Sequence, residues 1–150
     1  MELKTGSSES TLDDKGRVSI PVRFRDQFQG ELFITRGVEE PCVCVITPSA
    51  WENLKRNMSD PAVFTPELRR YYKDTVIDLK EEGKLDKAGR ITIPSALRNY
   101  ANLTKGCLVV SAGDRFSIWD FKEFNAYIKR KEDVATAALD KANIDIFGAR

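Results

Sequence analysis

The chain contains no histidine, and this absence excludes several kinds of functional site. Without an imidazole the sequence cannot build a Ser–His or Cys–His catalytic pair, a histidine metal ligand or a histidine pH switch. The sequence also has no Gly-rich phosphate loop and no Gly-x-Ser-x-Gly nucleophile turn. We therefore expect a protein that is not an enzyme, binds no cofactor and takes no small-molecule substrate.

Cysteine is scarce, with three residues at positions 42, 44 and 107. A zinc site built from cysteine alone needs four ligands, so we expect no metal centre. Cys42 and Cys44 are two residues apart in an apolar run, which places both on one side of a strand as small buried side chains. An odd number of cysteines without a disulfide pattern is typical of a reducing compartment.

Long apolar runs and an excess of one charge are also missing. No stretch approaches the roughly 18 apolar residues that span a bilayer, and the first ten residues lack the apolar segment of a secretory signal. We therefore expect a cytoplasmic protein without a membrane partner. The net charge is +1, so any binding of nucleic acid requires that the cations gather on one face.

The sequence contains an internal repeat. Residues 12–21 (LDDKGRVSIP) align with residues 85–94 (LDKAGRITIP), with six identities in ten positions at an offset of 73, whereas chance gives about one identity. At the same offset Arg25 matches Arg98. The chain therefore consists of two tandem modules, residues 5–58 and 84–130, with a helical connector (59–83) and a charged, alanine-rich, partly helical tail (131–150).

Both modules show the same order of predicted elements: a bend, a short strand, a short helix, a hairpin and a closing helix. This predicts an α+β, β-rich fold with two related halves. The expected strands are 17–20, 31–35, 42–46, 90–93, 107–111 and 116–119, and the expected helices are 22–28, 49–58 and 95–100. Thr65-Pro66 predicts the start of a connector helix that runs to Glu82 and ends at Gly83. In the closing helix of the second module, Phe121, Phe124 and Ile128 form the predicted inner stripe.

The repeated bend is the candidate functional motif. Asp13 and Asp86 can each accept hydrogen bonds from the backbone of the bend and pair with the arginine four residues on, Arg17 or Arg90. Gly16 and Gly89 permit a positive φ at the bend. Seven cations then lie in or just beyond the bends and form a candidate DNA-binding face, because a two-stranded ribbon fits a major groove and guanidinium groups suit phosphates and guanine. They are Lys15, Arg17, Lys87, Arg90, Arg23, Arg25 and Arg98.

Simpler interpretations of these residues stay open. Arg17 and Arg90 are also explained as surface ion pairs that only close their bends. Lys15 and Lys87 are also explained as solvated turn residues, and Arg23 and Arg25 as the exposed side of a short helix.

The doubled Asp-x-x-x-Arg bend, residues 98–105 and the triplet Ile118-Trp-Asp120 resemble the MraZ family of bacterial regulators, which carry tandem SpoVT/AbrB-like domains. The resemblance spans roughly residues 5–130. It implies swapped-hairpin, barrel-like modules and a ring-like homo-oligomer that binds promoter repeats upstream of a division and cell-wall gene cluster, beginning with its own gene. It also implies that Arg17 and Arg90, with Lys15 and Lys87, face double-stranded DNA, and that the protein associates with the nucleoid.

An alternative function is a protein-interaction module of the AbrB type. Antitoxins of this kind combine one such domain with a disordered tail that wraps a toxin. This chain instead devotes its length to a second copy of the module, which argues against that role.

Overall fold

Both halves of the chain form the same series of elements in a computed structural model of the protein. The structure describes residues 4–38 and 40–142. The strands are β1 (Thr5–Thr11), β2 (Arg17–Ser19), β3 (Leu32–Arg36), β4 (Cys42–Ile46), β5 (Glu81–Gly83), β6 (Arg90–Thr92), β7 (Gly106–Ala112) and β8 (Arg115–Asp120). The helices are α1 (Val22–Arg25), α2 (Pro48–Met58), α3 (Pro66–Tyr72), α4 (Ser95–Tyr100) and α5 (Phe121–Ala142), with a 3-10 turn at Asp26–Phe28 and a π-helical turn at Lys73–Ile77. The predicted α+β, β-rich class is confirmed.

The strands form a six-stranded antiparallel sheet in the order β1-β7-β8-β4-β3-β5 and a two-stranded ribbon of β2 and β6. Two strands pair outside their own part of the chain: β1 of the first module pairs with β7 of the second, and β5, at the end of the connector just before the second module, pairs with β3 of the first. This exchange of strands is the swapped-hairpin arrangement, and it makes each module depend on the other for a complete sheet.

A pseudo-twofold axis relates the modules. Val18 lies opposite Ile91 in the ribbon, and Cys44 lies opposite Ser117 in the large sheet. Both pairs are 73 positions apart, which is the offset of the sequence repeat. The axis therefore passes through the ribbon and the centre of the sheet.

The main core lies between the ribbon and one face of the sheet and draws on both modules. Phe28 of the first module meets Phe116 of the second edge-to-face, with ring centroids 4.6 Å apart. The fully buried core side chains include Val18, Ile20, Phe24, Phe28, Leu32, Val43, Val45, Ile91, Ile93, Val109, Phe116 and Ile118. Burial of this shared apolar surface holds the ribbon in place on the sheet.

Helices α2 and α5 cover the other face of the sheet, where Trp51 and Trp119 are both 3% exposed. On α5 the packed residues are Phe124 and Tyr127, whereas Phe121 and Ile128 are each 39% exposed. The predicted stripe of 121, 124 and 128 is therefore wrong at two of its three positions. The residues of α5 that pack against the sheet are Phe124 and Tyr127, three positions apart.

Two other features differ from the expected elements. No strand was predicted before residue 17, yet Thr5–Thr11 forms β1, which pairs with β7 along its whole length. The connector helix ends before Glu82, and Gly83 is not a helix cap: residues 81–83 form β5 and supply the hydrogen-bonding partner that the edge of β3 needs. The tail predicted as partly helical over 131–150 is helical through Ala142 as the continuation of α5, and residues 143–150 lie outside the described residues.

Candidate nucleic-acid interface

The first bend is organised by the carboxylate of Asp13. Its Oδ1 accepts hydrogen bonds from the backbone N–H groups of Lys15 and Arg17, both at 2.9 Å, while its Oδ2 accepts Arg17 Nε at 2.7 Å. Gly16 adopts φ +78°, a conformation that side chains with a Cβ disfavour. One carboxylate therefore fixes both the backbone of the bend and the direction of the Arg17 side chain.

The second bend repeats this geometry. Asp86 Oδ1 accepts the backbone N–H groups of Ala88 and Arg90 at 2.9 Å, and Oδ2 accepts Arg90 Nε at 2.9 Å. Gly89 adopts φ +77°. The predicted Asp–Arg pairs and positive glycine φ angles are thus present in both copies.

The two aspartates are held in the charged form. Hydrogen bonds from the backbone N–H of Arg17 lower the pKa of Asp13, and those from the backbone N–H of Arg90 lower the pKa of Asp86, with further contributions from each guanidinium. At neutral pH each bend therefore presents an ion pair.

The bends are joined across the pseudo-twofold axis. Ile20 donates its backbone N–H to Gly89 O at 2.9 Å, and Ile93 donates to Gly16 O at 2.8 Å. Each bend is therefore hydrogen-bonded to the end of the other module's strand, which joins the two motifs into one unit.

The outer side of the ribbon carries four polar side chains, Arg17, Ser19, Arg90 and Thr92, which we call the ribbon face. They alternate with buried Val18 and Ile91, so all four point away from the core. Arg17 is 27% exposed and Arg90 34%, and within residues 4–38 and 40–142 their terminal guanidinium nitrogens receive no hydrogen-bond partner. Each arginine therefore pairs with its aspartate through Nε, and its terminal N–H groups have no acceptor among the described residues.

Comparison with known proteins gives the family. A family model described as "MraZ protein, putative antitoxin-like" matches residues 3–73 and 80–145, once for each module. The chain belongs to the MraZ family. A protein from Frankia alni named "Transcriptional regulator MraZ" is 37% identical over 128 residues, 85% of this chain and 88% of the relative.

Two further relatives, also named "Transcriptional regulator MraZ", align with almost the whole chain. The protein from Mycobacterium ulcerans is 36% identical over 142 residues, 95% of this chain and 98% of the relative. The protein from Paenarthrobacter aurescens is 34% identical over 142 residues, 95% of this chain and 97% of the relative. The resemblance based on the bends is therefore confirmed over both MraZ repeats.

Two of the seven predicted cations have a packing role that the sequence analysis missed. Arg25 donates Nε to Ile20 O at 2.7 Å and lies where a Cβ on Gly89 would be. Arg98 donates to Ile93 O and lies in the same way against Gly16. Both are half-buried, so each arginine holds the end of its own module's strand against the bend of the other module. The recurrence of both arginine and glycine at the 73-residue offset was the available signal.

The remaining cations are placed differently from one another. Lys15 and Lys87 are both exposed on the bends. They are not equivalent positions of the repeat, because Ala88 aligns with Lys15 and Lys87 lies one residue earlier in its bend. Arg23 is exposed, donates Nη2 to Ser7 O at 2.5 Å and lies over the Phe24 ring at 4.5 Å, so it links α1 to β1. The ribbon face also contains Ser19 and Thr92, which were not among the predicted site residues although their alternation with buried Val18 and Ile91 indicated an outward position.

Other kinds of site receive no support from the described residues. No helix among them is long and apolar enough to cross a membrane. In the same residues there is no group of three or more cysteine, aspartate or glutamate side chains arranged to hold a metal ion.

Proposed function

We propose that this chain is a sequence-specific DNA-binding transcriptional regulator that uses the ribbon face to bind duplex DNA. The observation that carries the proposal is the pair of arginines fixed by Asp13 and Asp86 on the outer side of a two-stranded ribbon. Such a ribbon fits a major groove, and arginine is the preferred partner of guanine there. The pseudo-twofold axis through the ribbon matches the local dyad of a duplex, and the names of the relatives, transcriptional regulators, support the same function.

Within this proposal the cations have two roles. Arg17 and Arg90 read base edges, and exposed Lys15 and Lys87 bind the flanking phosphates. Arg23 flanks the interface on α1. Arg25 and Arg98 hold the bends in position, because their guanidinium groups are packed against the glycines and bonded to the strand ends.

The test is binding to DNA upstream of the chain's own gene. Arg17→Ala and Arg90→Ala should each weaken specific binding about tenfold to hundredfold, the cost of one base-reading arginine. Lys15→Ala should instead reduce the salt dependence by about one unit of slope. Arg130→Ala, on exposed α5 across the sheet, is the matched control and should bind like wild type. Full affinity of both ribbon-face variants would refute the proposal.

The finer proposal is that the chain acts as a ring-like homo-oligomer on promoter repeats, is a repressor of its own division and cell-wall gene cluster, and is associated with the nucleoid. One ribbon offers two base-reading arginines, so several linked subunits gain affinity on repeated sites through avidity. Exposed apolar side chains on and around α3 support subunit contacts: Val63, Leu68, Tyr71 and Leu79. Native mass measurement should give a single closed oligomer, and a monomer at micromolar concentration would contradict it.

The antitoxin-like alternative is not favoured by the names of the relatives. Purification with a stoichiometric toxin-like protein would restore it.

A further inference from the structure

A cavity of about 520 Å³ lies on the face of the sheet that is turned away from the ribbon. Its floor is formed by β3 and β4, with Cys44 and Ile46 facing it while Val43 and Val45 face the main core. Helix α2 and the connector form its walls. Its volume is in the range of pockets that hold small organic molecules, 300–1,000 Å³.

The repeat explains why the cavity is present in this module. Ile46 and Leu54 line it, and their equivalents 73 positions later are Trp119 and Tyr127. In the second module those two rings pack against each other with centroids 4.8 Å apart and fill the space beneath α5. Smaller side chains at the same two positions leave this space open beneath α2.

The connector covers the opening that the small side chains leave. Tyr72 and Val76 of the connector line the cavity. The Val76 carbonyl accepts a hydrogen bond from the buried Thr35 hydroxyl at 2.9 Å, which fixes the connector to β3 in the floor of the cavity. Val76 lies in the π-helical turn Lys73–Ile77. Such turns are rare and are frequently found at functional sites.

Arg36 lines one wall of the cavity and is half-buried, and it forms no ion pair with a carboxylate in the described part of the chain. Its guanidinium lies 4.0 Å from the centre of the Tyr100 ring. Two other charged side chains of the cavity are engaged: Arg115 pairs with Asp114 at 2.9 Å, and Glu40 accepts the Tyr127 hydroxyl at 3.1 Å. A half-buried cation without a carboxylate partner favours an anionic ligand.

We propose that this cavity is a binding site for a small amphipathic anion, with an apolar or aromatic body and one anionic head. The head binds Arg36, and the body packs against Ile46, Leu54 and Tyr72. The site is separate from the ribbon face and the proposal does not depend on DNA binding.

The test uses two fluorescent probes with the same body, the anion 8-anilinonaphthalene-1-sulfonate and uncharged N-phenyl-1-naphthylamine. Wild type should bind the anion saturably, with one molecule per chain. Arg36→Met, which keeps the length of the side chain, should weaken the anion about tenfold and leave the neutral probe within twofold. Leu54→Tyr introduces the larger side chain that the second module has at the equivalent position, Tyr127, and should abolish binding of both probes by filling the cavity.

The matched control is Leu139→Tyr, the same substitution at an exposed leucine on α5 outside the cavity, and it should bind both probes like wild type. Circular dichroism confirms the fold of each variant, and if Leu54→Tyr fails to fold, Asn57→Trp at the exposed rim is measured in its place. The proposal is overturned if wild type shows no saturable binding of the anion, or if Leu54→Tyr (or Asn57→Trp in its place) binds both probes like wild type. It is equally overturned if Arg36→Met weakens both probes alike.

Discussion

At the scale of the residue, the aspartate of each bend determines where the arginine points. Asp13 and Asp86 use one oxygen for the backbone and the other for Nε of the arginine. Lysine has a single ammonium group and could not pair with the carboxylate and present a planar pair of donors at the same time. The motif therefore requires arginine, and it requires a charged aspartate.

The charge state of the aspartates gives a pH prediction. Because backbone and guanidinium hydrogen bonds lower the pKa of Asp13 and Asp86 below 3.8, their contribution to stability is complete above that value and is lost as the pH falls through the lowered pKa. Carboxyl-carbon NMR titration should give a pKa below 3.8 for both. In Arg17→Ala the pKa of Asp13 should rise only part of the way to its ordinary value, because the backbone N–H groups of residues 15 and 17 still donate to the carboxylate. A pKa at or above 3.8 in wild type would show that the bend is not formed as described.

The bend glycines give a second prediction at this scale. Gly16→Ala should destabilise the protein by about 1–3 kcal/mol, because φ +78° strains an alanine and its Cβ would overlap Arg98. Gly106→Ala is the control, since a Cβ there meets nothing within 4 Å. Urea unfolding measures both, and equal stability of the two variants would mean that the Arg98 contact is not maintained.

At the scale of the element, the two closing helices begin at equivalent residues with unequal roles. Thr47 accepts the N–H of Ala50 at the start of α2. Its counterpart at the start of α5, Asp120, accepts the N–H groups of Lys122 and Glu123 and is 3% exposed. Burial disfavours the charge of Asp120, yet the hydroxyl of Thr104 and backbone donors hold its pKa below the ordinary value.

This difference predicts unequal costs for removing the two caps. Asp120→Ala should lower the free energy of unfolding by about 2 kcal/mol, because it also leaves the backbone N–H and the hydroxyl of Thr104 without their acceptor. Thr47→Ala should cost about 1 kcal/mol. Free energies of unfolding in urea compare them, and a larger loss in Thr47→Ala would contradict this ranking.

The elements also show what could be predicted from sequence. The apolar strands and capped helices were predicted to within two residues at most ends, because alternation and capping are local signals. Strands β1 and β5 were not predicted, since Thr5–Thr11 and Glu81–Gly83 have no apolar pattern and become strands only through distant partners. For the same reason the sequence indicated the Asp–Arg bends, whose contacts are four residues apart, but not the packing of Arg25 and Arg98 across modules.

At the scale of the whole molecule, exchange of strands makes the two modules one folding unit. The sheet joins the two modules through β1–β7 at one edge and β4–β8 at its centre, the end of the connector pairs with β3 at the other edge, and the main core is shared. Neither module can keep its sheet or its core when the other unfolds. The division at residues 58 and 84 therefore separates sequence repeats, and independent folding of either repeat is not expected.

The two tryptophans allow a direct test of this coupling, because Trp51 lies in the first module and Trp119 in the second. In Trp51→Phe and in Trp119→Phe, urea unfolding followed by the remaining tryptophan should coincide with the far-ultraviolet circular dichroism of the whole chain. Separate transitions in either variant would mean that the modules unfold independently.

The orientation of the ribbon face toward DNA is tested most directly by arginine footprinting with phenylglyoxal and mass spectrometry, on the free protein and on its complex with the duplex from its own promoter. We predict that Arg17 and Arg90 react in the free protein and are protected by DNA, while Arg56 and Arg130, exposed on α2 and α5, react equally in both states. Unchanged reactivity of Arg17 and Arg90, with protection of arginines on α2 or α5 instead, would contradict the proposed interface.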